Sequence, residues 1–309
     1  MTRRARTALA ATTAAALLAL AGCGADEPPP EAALPAPGDT ATPAPATTGA
    51  PDPSDAPEDG LLPSYGGDEG GPSYVALGDS YAAAPGVPTT EFARGCLRSD
   101  RDYAHVLAAD QGLALTDVSC SGAATQDVVD LQLPFVGADT ELVTVTIGGN
   151  DFDLFSTVLR GCLGQAGQPG APCTEATSAD VEAALPQIGD AVGTLLDHVV
   201  AAAPDARVVV VGYPDLLPEQ GSCPDLVPIA DGDYPYVDAL TEELSALLRT
   251  AADDRDLDFV DVHAASQGHD VCSDDPWVNG QETAEDGTIP FHPFASEQAA
   301  VAALVADLL

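Results

Sequence analysis

The chain contains no lysine. Its ten basic residues are all arginine, set against 49 acidic ones, for a formal charge of −39. A surface this negative repels phosphate backbones and anionic membranes, so nucleic acid is excluded as a partner. The acidity reads as a solubility feature and assigns no chemistry. No C-x-x-C pair occurs among the seven cysteines, which argues against thiol redox work. The apolar run at 8–21 falls short of the ~17–25 residues a bilayer span needs. There is no internal repeat. His263 and His269 flank one loop, but no third ligand is spaced to join them, so no metal is expected.

What is present begins with an export signal. Arg3, Arg4 and Arg6 precede the short apolar run, which ends in small residues. The following "LAGC", residues 20–23, resembles the lipobox of bacterial lipoproteins, in which Cys23 becomes the lipidated first residue. Ordinary cleavage after "ALA" is the alternative. Cysteine arithmetic favours lipidation: without Cys23, six remain, an even set suited to three disulfides outside the cell. The expected location is therefore the outer face of the cell membrane, held by a lipid anchor.

Residues 23–72 are rich in Pro, Ala, Thr and Gly, without apolar periodicity, and read as a disordered tether. From 73 to 309 the character changes. Apolar, β-branched runs at 73–78, 114–120, 141–149, 206–214 and 257–263 read as strands. Between and after them lie helical patterns: "DYAHVLAADQG" stopping at Gly112, a stretch capped by Ser178 and kinked at Pro186, "YVDALTEELSALLRTAADD", and a closing helix with Pro293 in its first turn. Such alternation argues an α/β domain, a parallel sheet of five strands with helices on both faces. The stretches 156–177, 214–233 and 264–292 read as irregular insertions. Six cysteines allow several connectivities. Consecutive pairing (Cys96–Cys120, Cys162–Cys173, Cys223–Cys272) is favoured because it closes one insertion and ties two others. The predicted division is thus a signal at 1–22, a tether at 23–72 and one domain at 73–309.

Four strand ends carry candidate chemistry. The first leads into "GDS", which puts Ser80 at the start of a helix, exposed and favoured for developing negative charge. The second leads into "SCSGA", where Gly122 can offer its N–H at close range. The third leads into "GGND", where the Asn150 amide can donate to an oxyanion. His292 follows the fifth strand in "GTIPFHPFASEQ". Singly, each reads equally well as a cap or a turn.

Together, in this order and spacing, they resemble the four blocks of the SGNH (GDSL-type) hydrolases. "YVALGDSYAAAPG", "SCSGA", "IGGND" and "WVNG" look most like the secreted actinomycete esterases and lipases of that family. The resemblance implies a three-layer α/β/α sandwich, flavodoxin-like, with strand order 2-1-3-4-5, and disulfides paired in sequence. It also implies a carboxylic ester hydrolase with Ser80 as nucleophile and His292 as base. The N–H of Ser80, the N–H of Gly122 and the Asn150 amide would form the oxyanion hole, with no cofactor. In that order ligands sit at the carboxyl ends of strands, near the switch between strands 1 and 3.

One departure narrows the resemblance. Most of the family has Asp-x-x-His in its last block, and here the aspartate is replaced by Ile289. In the branch this chain resembles, a main-chain carbonyl orients the histidine, giving a Ser–His dyad. The carbonyl of Ile289, or else Pro290, is expected to do so, since both flanking residues precede prolines and favour extended backbone. The competitors are carboxylates from Asp286, Asp270, Asp274 or Asp275. Asp79 and Asp151 read as fixing two turns, and Trp277 and Asn279 as pocket lining. The rival functions are a non-catalytic binding lipoprotein on the same fold and a polysaccharide O-deacetylase. A small ester or lipid is the expected substrate and a monomer the expected state.

Overall fold

The structure, a computed structural model, describes residues 62–91 and 95–309. The signal-like segment, Cys23 and most of the proposed tether lie outside the described residues. The strands are β1 (Ser64–Gly67), β2 (Ser73–Gly78), β3 (Thr90–Glu91), β4 (Arg98–Ser99), β5 (Ala114–Asp117), β6 (Leu142–Thr146), β7 (Arg207–Val211) and β8 (Asp258–Val260). The helices are α1 (Ser80–Ala83), α2 (Tyr103–Gln111), α3 (Thr125–Asp127), α4 (Leu154–Cys162), α5 (Pro172–Ala202), α6 (Tyr234–Asp253), α7 (Val262–Ala265) and α8 (Ala295–Ala306).

The main sheet runs β1-β5-β2-β6-β7-β8. All neighbours are parallel except β1, which pairs antiparallel with β5. β3 and β4 form a separate two-stranded ladder. Along β2, successive side chains enter opposite cores, as the two-residue period of a strand dictates. Tyr74 and Ala76 pack with Leu107 of α2 and Val301 and Val305 of α8. Val75 and Leu77 join Ile188 and Leu195 of α5 and Leu244 and Leu248 of α6. Helices thus cover both faces, and the result is a three-layer α/β/α sandwich.

Four details depart from the sequence-based expectations, each for a physical reason. The strand β1 arises at 64–67, inside the stretch assigned to the tether. It lacks an apolar run and forms by filling the open edge of β5. Its last residue must be glycine: Gly67 has φ +73°, and an added Cβ would lie 1.9 Å from the Leu113 carbonyl oxygen. Helix α5 begins at Pro172, before Ser178. Its cap comes from far away, because the Asp233 carboxylate accepts from the N–H groups of Cys173 (3.1 Å) and Thr174 (2.9 Å). With α4 before it, most of the supposed insertion at 156–177 is helical. Finally, Pro293 lies outside the closing helix, bridged to Val278, and Phe294 is the cap.

Disulfides join Cys96 to Cys120, Cys162 to Cys173 and Cys223 to Cys272. The first fastens the segment before β4 to the loop after β5. The second links α4 to α5. The third ties the loop after β7 to the loop after α7, closing 49 residues of chain. Each such bond typically adds about 2–4 kcal/mol. Among the described residues no helix is long and apolar enough to cross a membrane.

Candidate active site

Ser80 opens α1 directly after β2. Asp79 caps that helix, its Oδ1 accepting from the Tyr81 N–H at 2.9 Å. The turn is tight: Gly78 has φ +147°, and an added Cβ would meet the Thr146 carbonyl oxygen at 2.4 Å. Gln132 grips the same residue on both sides, its Oε1 accepting from the Gly78 N–H (2.7 Å) and its Nε2 donating to the Gly78 carbonyl (2.9 Å).

The loops after β5 and β6 are fastened to this turn. The Cys120 N–H donates to the Gly78 carbonyl. The Tyr213 hydroxyl donates to Asp79 Oδ2 and accepts from the Gly149 N–H at 2.9 Å, so one phenol joins the GDS turn to the GGND turn. Asp151 accepts from both the N–H and the hydroxyl of Thr125. The Asn150 amide donates one hydrogen to the Ala123 carbonyl at 3.0 Å. Its second amide hydrogen remains available. Among the described residues the main-chain N–H groups of Ser80 and Gly122 have no acceptor. Three unengaged donors therefore gather at the carboxyl edge of the sheet.

Burial sets the charge state of the two aspartates. It pushes the Asp79 carboxyl up to about 7, against the opposing Tyr213 and Tyr81 hydrogen bonds. Asp151 is raised for the same reason, opposed by the Thr125 bonds.

His292 reaches the site on an antiparallel strap. The Asn279 N–H donates to its carbonyl, the Phe291 N–H to Gly280, and the Phe294 N–H to Trp277. Its Nδ1 contacts the Pro290 carbonyl oxygen at 2.7 Å. That contact corrects the preference for Ile289. The Ile289 carbonyl instead accepts from the Asn279 amide (3.2 Å), which also donates to the Thr288 and Glu282 carbonyls. Phe291 supplies the other half of the reason. Its φ of +57° reverses the chain and turns the Pro290 carbonyl back onto the ring two residues on. The segment is thus curled where extended backbone was expected.

Three of the four carboxylates offered as alternatives are engaged elsewhere. Asp286 accepts from the Thr288 N–H and Asp270 from the Cys272 N–H, while Asp275 pairs with His269. Trp277 stacks on His269, with ring centroids 4.6 Å apart. Asn279 braces the strap through its amide contacts with the Glu282, Thr288 and Ile289 carbonyls.

Tyr81 joins the two halves of the site. Its ring stacks on His292 (centroids 5.7 Å) and its hydroxyl donates to the Phe291 carbonyl at 2.8 Å. Gln298 of α8 donates to the Tyr81 carbonyl at 3.0 Å. Burial pulls the His292 pKa below its ordinary value, with the Pro290 carbonyl bond opposing. Ser80 Oγ has no hydrogen-bond partner among the described residues; such contacts are often loose until substrate binds.

A serine at a strand-to-helix turn, three free donors and a carbonyl-held histidine on an α/β/α frame define the comparison to make. The sequence pattern of the GDSL-like lipase/acylhydrolase family matches residues 76–296. The chain belongs to that family. It is a carboxylic ester hydrolase. Lipase 2 of Streptomyces coelicolor is 39% identical over 257 residues, 76% of this chain and 85% of that protein. Among solved structures, the extracellular lipase of Streptomyces rimosus superposes with a TM-score of 0.68 at 30% identity, covering 77% of this chain and all of that one. Phospholipase A1 of Streptomyces albidoflavus gives 0.68 at 29% identity, over 77% of this chain and 99% of that one.

Residues outside the four motifs hold this hydrolase's site together. Gln132, Tyr213 and Gln298 were not singled out from sequence, and no local signal marks them. Tyr81 sits beside the motif serine, but its reach to His292 depends on the tertiary fold.

Proposed function

We propose that Ser80 and His292 form a catalytic dyad for acyl transfer to water. Ser80 Oγ attacks the ester carbonyl and His292 Nε2 takes its proton. The oxyanion lies against the N–H groups of Ser80 and Gly122 and the free hydrogen of the Asn150 amide. The alcohol leaves with the proton from His292. Water then attacks the acyl-enzyme, with His292 again as base. The observation that carries this reading is the 2.7 Å contact between His292 Nδ1 and the Pro290 carbonyl. A carbonyl only accepts, so Nδ1 must hold the hydrogen and Nε2 is left as the base. No carboxylate is required.

Lipid esters are the proposed substrate class. The similarity to a lipase and a phospholipase A1 supports it. So does Phe152, two residues after Asn150, which is 54% exposed with φ +52° and offers apolar surface beside the donors. We place the enzyme outside the cell, tethered through lipidated Cys23 and the part of the 23–72 segment that precedes β1, on the strength of the signal-like N-terminus and the disulfides; a monomer is the proposed state. Hydrolysis of chromogenic esters of graded acyl length by wild type and Ser80→Ala tests the chemistry. Activity retained in the variant overturns the dyad, and a rate confined to acetyl esters overturns the lipid assignment. Mass spectrometry of the mature N-terminus tests the anchor.

A further inference from the structure

Asp215, Asp238 and His263 come together from three elements. Asp215 follows β7, Asp238 lies on the second turn of α6, and His263 sits on α7 just after β8. One ligand atom from each lies within 4.8 Å of the others, and His263 Nε2 is 3.9 Å from Asp238 Oδ1. Asp215 is 4% exposed and His263 9%. Asp215 Oδ1 and His263 Nε2 are both buried without a hydrogen-bond partner. Orphaned buried polar atoms are rare and costly. Here two of them converge on the same few ångströms.

Among the described residues no arginine pairs with this cluster. The chain lacks lysine. The arginines that pair with carboxylates do so elsewhere: Arg98 with Asp117, Arg207 with Asp258, Arg249 with Asp261 and Arg255 with Asp197. A second cluster provides a contrast. Asp102, His105 and Asp117 also lie within reach of one another, but His105 Nδ1 bonds Asp102 at 2.9 Å and Arg98 stands 3.8 Å from Asp117. That cluster is neutralised from within. The one around Asp215 holds no arginine, and its histidine Nε2 has no hydrogen-bond partner.

We propose that Asp215, Asp238 and His263 bind one divalent transition-metal ion of the zinc class. The donor set selects the class: an imidazole nitrogen with two carboxylates suits zinc and its neighbours, whereas calcium and magnesium favour all-oxygen sites. Tetrahedral zinc with bonds of ~2.0–2.2 Å sets its ligand atoms about 3.4 Å apart, so a cluster whose ligand atoms lie within 4.8 Å of one another needs to contract by at most about 1.4 Å. Gln267 Nε2 donates to Asp215 Oδ2 at 3.2 Å and to the His263 carbonyl at 3.4 Å, holding two ligands in place. The bound ion would clasp the loop after β7 to α6 and α7. That loop is already tied to the 270s by the Cys223–Cys272 bond and by the Val271 N–H donating to Leu216. This is a structural clamp, independent of the dyad.

The test uses the folded protein stripped with a chelator and titrated with Zn²⁺ at about pH 8, where the proton competes least. One equivalent should bind, and Tm should rise about 5–10 °C at a hundredfold excess over Kd. His263→Gln and Asp238→Asn should each weaken binding by about tenfold or more, whereas His105→Gln should leave it intact. X-ray absorption of the wild-type zinc form should show one imidazole among oxygen ligands, a readout that survives if a variant fails to fold. Absence of saturable binding to wild type overturns the proposal. So does affinity unchanged by both cluster substitutions, or affinity lost with His105→Gln.

Discussion

The two ends of the proposed active site are built on different terms. The serine end is a set of turns at the edge of a rigid sheet. Ser80, Gly122 and Asn150 follow β2, β5 and β6, and Gln132, Tyr213 and Asp151 bolt those turns to one another. The histidine end hangs on a strap. His292 follows a long irregular stretch after α7 and is held by the 277–280 backbone, the Asn279 amide and Tyr81. One end takes its precision from the sheet. The other takes it from a few specific hydrogen bonds, so its geometry is easier to disturb without unfolding the protein.

The sharpest test of the comparison removes one reacting group from each end. On the proposed chemistry, Ser80→Ala and His292→Ala should each lower kcat by about 10⁴-fold or more on a chromogenic ester. The double variant should be no worse than either single one, because the pair acts as a unit. Additive losses would mean that the two ends do not work on one step. Next in size, Asn150→Ala removes one donor from the serine end and should lower kcat about 10²–10³-fold with little change in KM.

Smaller losses should expose the difference between the ends. Asn279→Ala frees the Thr288 and Ile289 carbonyls and loosens the strap. It should lower kcat by up to about 10²-fold, the cost typical of an ångström-scale misplacement. Asp286→Asn, which alters a carboxylate proposed only as an alternative, should leave kcat unchanged. A large loss in Asp286→Asn would return the orienting role to a carboxylate.

The same contrast explains what could be read from sequence. Ser80, Gly122 and Asn150 sit a few residues past apolar runs, so strand periodicity alone places them at one edge. The bolts are invisible by nature. Gln132 is 54 residues from Gly78, Tyr213 is 134 from Asp79, and Gln298 is 217 from Tyr81. Asp233 caps α5 from about 60 residues away, which is why that helix starts earlier than its local signals say. At the histidine end the sequence shows a carboxylate missing and prolines present. The choice between the Ile289 and Pro290 carbonyls depends on Phe291 adopting a positive φ, a conformation its side chain does not favour and only the strap imposes. The residues proposed to join His263 in a metal site, Asp215 and Asp238, lie 48 and 25 residues before it, so sequence spacing does not bring them together.

The smallest effect is in pH, and there the two ends share a cause. Burial disfavours charge at both. At the serine end it raises the Asp79 carboxyl to about 7; at the histidine end it lowers the His292 imidazole below its ordinary 6.5. The signs then oppose. Asp79 holds its proton more tightly folded than unfolded, so it adds stability at low pH that is lost as pH rises from about 4 through about 7. Glu297, raised to about 8 by burial beside Gln298, acts the same way to a higher pH. His292 holds its proton less tightly folded than unfolded, so it costs stability only under acidic conditions. Tm should therefore fall between about pH 5 and pH 8, and Asp79→Asn, which keeps an acceptor for Tyr213 but cannot ionise, should flatten that fall. Activity should run the other way. The base must be neutral, so the acid limb of kcat/KM should lie below about pH 6.5, where an exposed histidine would already be half protonated. A limb above that value would mean that a nearby carboxylate raises the His292 pKa, and the carbonyl-held dyad would be wrong.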